Sequence, residues 1–116
     1  MAAGIFTAYT KSRTLGLGGR ALEAEAFLHA ARSLDAPTAG TVIKGLRFTH
    51  SLWTLLQADL LDTHNSLPEK LKSDLLSLSV FVDREVIRAL TDPAPGRLKT
   101  LSDINRNLAA GLSAEN

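Results

Sequence analysis

The feature that most constrains this chain is a central run of apolar residues spaced alternately four and three positions apart. The spaced positions are Val42, Leu46, Thr49, Trp53, Leu56 and Leu60. This spacing puts all six on one side of an α-helix, so the sequence predicts one long amphipathic helix over about residues 38–62. Runs in which β-branched and aromatic residues alternate are missing, and we therefore expect no sheet.

The same periodicity predicts three more helices, separated by breaks that contain proline. The first covers about residues 20–34 and ends before Pro37, because α-helical geometry is disfavoured in the residue that precedes a proline. Residues 65–69 restart a third helix, with Ser66 or Leu67 at its cap. Residues 92–96 end the third helix, and a last helix covers about 97–112. Short connections between these helices predict an all-α fold, a small antiparallel bundle of about four helices.

Length and composition predict one domain over residues 1–116. A chain of 116 residues with 45% hydrophobic residues and a mean hydropathy of +0.05 can bury a core without disulfides. Glycines, threonines and serines dominate residues 1–18, which we interpret as an irregular N-terminal arm. The bundle is then expected over residues 19–112.

Charge, cysteine content and hydropathy exclude several classes of function. The chain has no cysteine, which excludes disulfides and thiolate metal sites and fits the reducing cytosol. We find neither an apolar run long enough to span a bilayer nor a secretory signal, so we expect a cytoplasmic protein without membrane insertion. Thirteen basic and twelve acidic residues give a net charge of +1, which argues against binding nucleic acid through its phosphates.

Side chains that could carry chemistry are sparse. Asp59 and Asp62 precede His64, but the three histidines, His29, His50 and His64, lie in different helices or loops. We therefore expect a polar helix end and no metal site. The glycines at 16–19 lack the Lys-Ser/Thr pair of a phosphate loop, and no serine lies in a Gly-x-Ser-x-Gly motif. We therefore expect no cofactor and no catalytic activity.

The apolar residues leave two alternatives open. Trp53, the single tryptophan, is either part of the core, which its place in the apolar stripe favours, or part of a groove that binds a partner. The second and third helices also carry more apolar residues than one seam requires. These surplus residues are Leu55, Leu61, Leu76, Val80, Phe81 and Ile87. We expect the first and last helices to cover most of them, and those that stay uncovered would form a groove for a partner.

The order and spacing of several stretches carry a family resemblance. In the second and third helices these are Leu52-Trp53-Thr54-Leu55-Leu56, Asp59-Leu60, Asn65-Ser66-Leu67-Pro68, Leu71, Leu75-Leu76-Ser77-Leu78, Phe81-Val82 and Arg84-Glu85. At the ends they are Ala8-Tyr9, Arg20, Glu23, Glu25, Leu101, Ile104-Asn105, Leu108 and Gly111-Leu112. Together they resemble the flagellar biosynthesis regulator FlaF family of alphaproteobacteria over nearly the whole chain.

The resemblance implies a non-enzymatic role in flagellum assembly. It implies a protein that promotes flagellin synthesis or secretion, in opposition to the FlbT family, which represses flagellin translation. One form of this role is an export chaperone or adaptor that binds the terminal amphipathic helices of flagellin. The alternative is a post-transcriptional regulator that acts through messenger RNA or through FlbT. The near-neutral charge argues against direct RNA binding. The partners that the resemblance implies are flagellin first and FlbT second.

We expect seven residues to bind the partner, two in the arm and five on the second and third helices: Phe6, Tyr9, Trp53, Leu56, Leu60, Arg84 and Glu85. The arm has apolar anchors but no helix that buries them, so it either contacts the partner or docks on its own bundle and fills the groove. Arg84 and Glu85 are adjacent and face different directions, so they are alternatively two solvated charges.

Overall fold

Four α-helices build the fold, which the computed structural model describes over residues 19–114. They are α1 (Gly19–Leu34), α2 (Ala39–Leu61), α3 (Glu69–Thr91) and α4 (Pro95–Ala114). No strand occurs within 19–114, and the predicted all-α fold of about four helices is confirmed. The predicted irregular arm, with Phe6 and Tyr9, lies outside the described residues.

The helix boundaries differ from the sequence prediction by one or two residues, and proline lies at the start of both α3 and α4. α3 begins directly after Pro68, which itself occupies the cap position expected for Ser66 or Leu67. α4 begins at Pro95, two residues before the predicted start. Pro95 suits the first position of α4 because its φ is already helical and because an N–H there would have no partner within the helix.

Contacts between side chains fix the relative directions of the helices. Phe27 of α1 packs edge-on against Trp53 of α2, with ring centroids 6.0 Å apart. Ser33, later in α1, approaches Gly45, earlier in α2, so these two helices are antiparallel. Short loops make α2 antiparallel to α3 and α3 antiparallel to α4. It follows that α2 and α4 run in the same direction, as the antiparallel bundle predicts.

A buried polar contact joins α2 to α4 at the centre of the core. The indole Nε1–H of Trp53 donates to Oδ1 of Asn105 at 2.9 Å, and Nδ2 of Asn105 donates to Oγ1 of Thr49 at 3.1 Å. All three side chains are fully buried. Buried polar groups are costly unless they are paired, so this arrangement admits one register of α4 against α2.

An ion pair ties the end of α1 to α4. Arg106 donates to Asp35 and to Ser102, and the Ser102 hydroxyl donates to the Ala31 carbonyl at 3.3 Å. Partial burial acts to raise the pKa of Asp35, but the hydrogen bond from Arg106, the Ser102 hydroxyl beside the carboxyl, and the charges of Arg106 and Lys99 outweigh it. The pKa of this carboxyl therefore lies below its usual value.

The surplus apolar residues divide into two groups. Leu55 and Leu76 pack against the core, as expected. For the other four, the expectation that the first and last helices would cover them is wrong. No described helix lies on the outward side of α3 or over the last turn of α2. These four side chains are exposed: Leu61, Val80, Phe81 and Ile87. None of the four described helices is long and apolar enough to cross a membrane.

Candidate functional site

An apolar cleft of about 340 Å³ lies between the second half of α2, the first half of α3 and the second half of α4. Leu56 and Leu112 are nearly buried at its base, and Leu71 is 41% exposed at its rim. Its lining consists mainly of leucines: Leu56, Asp59, Asn65, Leu67, Leu71, Leu75, Leu78, Ile104, Asn107, Leu108, Gly111 and Leu112. Asp59 is the one charged residue of this lining.

The cleft exists because α3 and α4 are held together at one end only. At that end the connection spans residues 92–94, and Arg97 of α4 pairs with Glu85 and Asp92 at 3.3 Å each. Over its whole length α3 packs more closely on α2 than on α4. The apolar rows of α3 and α4 therefore face each other across a gap instead of interlocking.

The loop between α2 and α3 supplies the polar end of the cleft. Nδ2 of Asn65 donates to Oδ2 of Asp59 at 3.4 Å, and Oδ1 of Asn65 accepts the backbone N–H of Leu67 at 3.0 Å. This local turn brings the Leu67 side chain to the cleft. A site with apolar walls and a few polar groups at one end can hold the apolar face of a helix and fix its position.

Gly111 leaves one part of the cleft wall without a side chain. A Cβ placed on this glycine meets no atom within 4 Å, so its surroundings are open. Gly40, at the start of α2 and outside the cleft, has equally open surroundings. The two positions form a matched pair for substitutions that fill the cleft or spare it.

The predicted binding residues of α2 take different positions relative to the cleft. Leu56 lines it, whereas Leu60 and Trp53 are buried in the core. For Trp53 the structure thus shows the core alternative, and the indole offers no surface to a partner in this conformation. Contact between Trp53 or Leu60 and a partner stays a prediction that would require the bundle to open.

The predicted residues of α3 and of the arm lie elsewhere. Arg84 is exposed on the outward side of α3. Glu85 has a side chain only 12% exposed and pairs with Arg88 at 2.8 Å and with Arg97 at 3.3 Å, so it holds α3 to α4. Phe6 and Tyr9 lie outside the described residues, and their contact with a partner stays a prediction.

Sequence reasoning missed the walls of the cleft. Leu71, Leu75 and Leu78 of α3, with Leu108 of α4, belong to regular apolar rows in the sequence, and the structure places them in the walls of the cleft. Periodicity identifies the apolar side of each helix but carries no information on whether two such sides meet. Gly111 between apolar neighbours was the one local signal of open space in the sequence.

Titratable groups form no reactive cluster within residues 19–114. The His29 ring lies against Phe48, with centroids 5.8 Å apart. His50 Nε2 is 3.9 Å from Asp83, and His64 Nδ1 is 3.1 Å from Asp62. No three histidine or carboxylate side chains of the described part are arranged to hold a metal ion.

Fold and site together define a small all-helical protein that is built around an apolar cleft. The sequence model of the family described as "Flagellar protein FlaF" matches residues 5–112 of this chain. The chain belongs to this family, and its membership implies a role connected with the flagellum. Neither the curated proteins nor the solved structures contain a match.

Proposed function

We propose that this protein is a non-enzymatic export chaperone for flagellin, and that its cleft holds a terminal amphipathic helix of flagellin in the cytoplasm before secretion. The observation that carries the proposal is the apolar cleft between α2, α3 and α4 in a member of a flagellar family. Apolar walls bury the apolar stripe of a helix, and the polar groups of Asp59, Asn65 and Asn107 contact its edge.

The physical reason for such a site lies in the client. A flagellin subunit exposes apolar terminal helices until it joins the filament, and exposed apolar helices associate with one another. A one-to-one complex that covers such a helix prevents early assembly. Because the cleft is open at Leu71 and Gly111, the helix enters from the side, and no rearrangement of the core around Trp53 is needed.

Filling the cleft tests this proposal. In the full chain, Gly111→Phe places a ring where an added Cβ meets nothing, so the bundle stays folded while the space for a client is lost. Gly40→Phe is the matched control. We expect Gly111→Phe to weaken binding of purified flagellin by tenfold or more in isothermal titration calorimetry, which is about 1.4 kcal/mol. The control should bind as the unchanged protein does.

A second arm of the experiment identifies the client segment. Flagellin that lacks its C-terminal or its N-terminal helix should bind more weakly than the full subunit. If both truncated forms bind as tightly as the full subunit, or if the Gly111→Phe and Gly40→Phe variants bind flagellin equally, the cleft is refuted as the client site. Retention of flagellin messenger RNA by the protein alone at low salt would instead support the translational alternative.

A further inference from the structure

A second surface lies on the opposite side of α3 from the cleft. Nine residues separate Leu78, in the cleft wall, from Ile87, and at about 100° per residue they point in opposite directions from the helix axis. We call this surface the outer face, and it combines residues of α2 and α3: Ile43, Arg47, Val80, Arg84, Ile87 and Leu90.

Antiparallel packing brings these residues together. His50 Nε2 of α2 lies 3.9 Å from Oδ1 of Asp83 of α3, and Gln57 donates to the other oxygen of Asp83 at 2.9 Å. Since the two helices run in opposite directions, the residues that precede His50 lie alongside those that follow Asp83. Ile43 and Arg47 are therefore neighbours of Ile87 and Leu90 along the same seam.

The outer face exposes an unusual amount of apolar surface. Ile43, Val80, Ile87 and Leu90 are all between 41% and 62% exposed. Single exposed apolar residues are common on proteins, but a group of four branched aliphatic side chains beside one seam is typical of an interaction surface.

Unpaired positive charges mark the same region. The side chains of ten lysines and arginines are described, and seven of them form ion pairs: Arg32, Lys70, Lys72, Arg88, Arg97, Lys99 and Arg106. The remaining three have neither an ion pair nor a hydrogen bond in the described part of the chain. They are Arg47 and Arg84 of the outer face, and Lys44, which adjoins it.

From this combination we propose that the outer face binds an acidic amphipathic helix of a second protein while the cleft holds its client. The apolar side chains of such a helix cover Val80 and Ile87, and its carboxylates pair with Arg47 and Arg84. Ile, Val and Leu side chains provide no stacking platform for bases, and three cations are few for a phosphate backbone, so the surface suits a protein better than RNA. The protein is then an adaptor with two sides.

A designed peptide tests the outer face without knowledge of the natural partner. The probe is a synthetic helix with leucines at three- and four-residue spacing and glutamates elsewhere. Two controls have the same leucines with lysines, and the same composition in scrambled order. We expect the acidic peptide to bind the full chain saturably below about 1 mM and to shift the methyl NMR signals of Ile43, Val80 and Ile87.

Substitutions at exposed positions separate the outer face from the rest of the surface. Arg84→Glu should weaken the acidic peptide about tenfold and improve binding of the lysine peptide, whereas Lys70→Glu, also on α3, should change neither. Ile87→Ser should weaken binding, while Leu61→Ser serves as its control, because these side chains are 62% and 70% exposed. Far-UV circular dichroism checks that each variant is folded.

Three results would overturn this inference. The first is an acidic peptide that shifts cleft signals such as Leu75 and Leu108 instead of those of the outer face, or that fails to bind. The second is equal binding of the lysine and acidic peptides. The third is single-stranded RNA that binds at Arg84 more tightly than the acidic peptide does. The cleft proposal is tested separately, because Arg47→Glu should weaken the acidic peptide but leave flagellin binding unchanged, and Gly111→Phe should leave peptide binding unchanged.

Discussion

Removal of the Asn105 side chain should show how much the buried contact between α2 and α4 contributes to stability. In Asn105→Ala the indole N–H of Trp53 loses its acceptor in a fully buried position. An unsatisfied buried donor costs about 1–3 kcal/mol, and the space left by the amide adds about 1 kcal/mol. Thr49 loses only a donor to its hydroxyl oxygen, which is a smaller loss.

We therefore expect the free energy of unfolding to fall by about 2–4 kcal/mol, with a melting temperature lower by roughly 10–25 °C for a domain of this size. Urea unfolding is readily followed by the fluorescence of Trp53, the single tryptophan, alongside far-UV circular dichroism. Asn107→Ala, at an exposed position of the same helix, is the control and should change stability by less than about 0.5 kcal/mol.

A double-mutant cycle strengthens the test. Trp53→Phe removes the donor, so Asn105→Ala should cost less in that background than in the unchanged protein, with a coupling of about 1–2 kcal/mol. Circular dichroism follows these variants, since the tryptophan is gone. Stability losses that simply add, or an Asn105→Ala variant as stable as Asn107→Ala, would refute the reasoning that this hydrogen bond fixes the register of α4.

Three further predictions concern single contacts. Gly45→Ala should lower the free energy of unfolding by about 1–3 kcal/mol in urea titrations, because its Cβ would lie 2.7 Å from the Cβ of Ser33 in α1. The control, Gly40→Ala, should be neutral or stabilising. Equal stabilities of the two variants would contradict the close approach of α1 and α2 at Gly45. Asp35→Asn should lower the free energy of unfolding by about 0.5 kcal/mol at pH 7. Because the folded-state pKa of Asp35 is lowered, this difference in stability between the variant and the unchanged protein should be lost as the pH falls below about 3.8. A stability difference that persists at pH 2 would refute the ion pair as its cause. Glu85→Gln should destabilise the protein by about 1 kcal/mol and speed amide hydrogen exchange where α3 meets α4, and unchanged exchange there would show that this pair does not hold the helices together.

The sequence by itself determined the helices and the apolar side of each one. Proline at 37, 68, 93 and 95 limits where helices continue, and spacing of three and four residues identifies the stripe that contains Trp53. These signals are local, because they depend on backbone geometry within a turn or two. The order of short stretches also sufficed to indicate the family, which the match over residues 5–112 confirms.

Tertiary structure alone decided which apolar sides meet. Leu75 and Val80 both belong to apolar helical positions, yet one lines a cleft and the other lies exposed on the outer face. The difference arises because Arg97 and Glu85 hold α3 to α4 at one end only, and because Asn105 fixes α4 against α2. Such contacts join residues far apart in the chain, and periodicity within a helix carries no record of them.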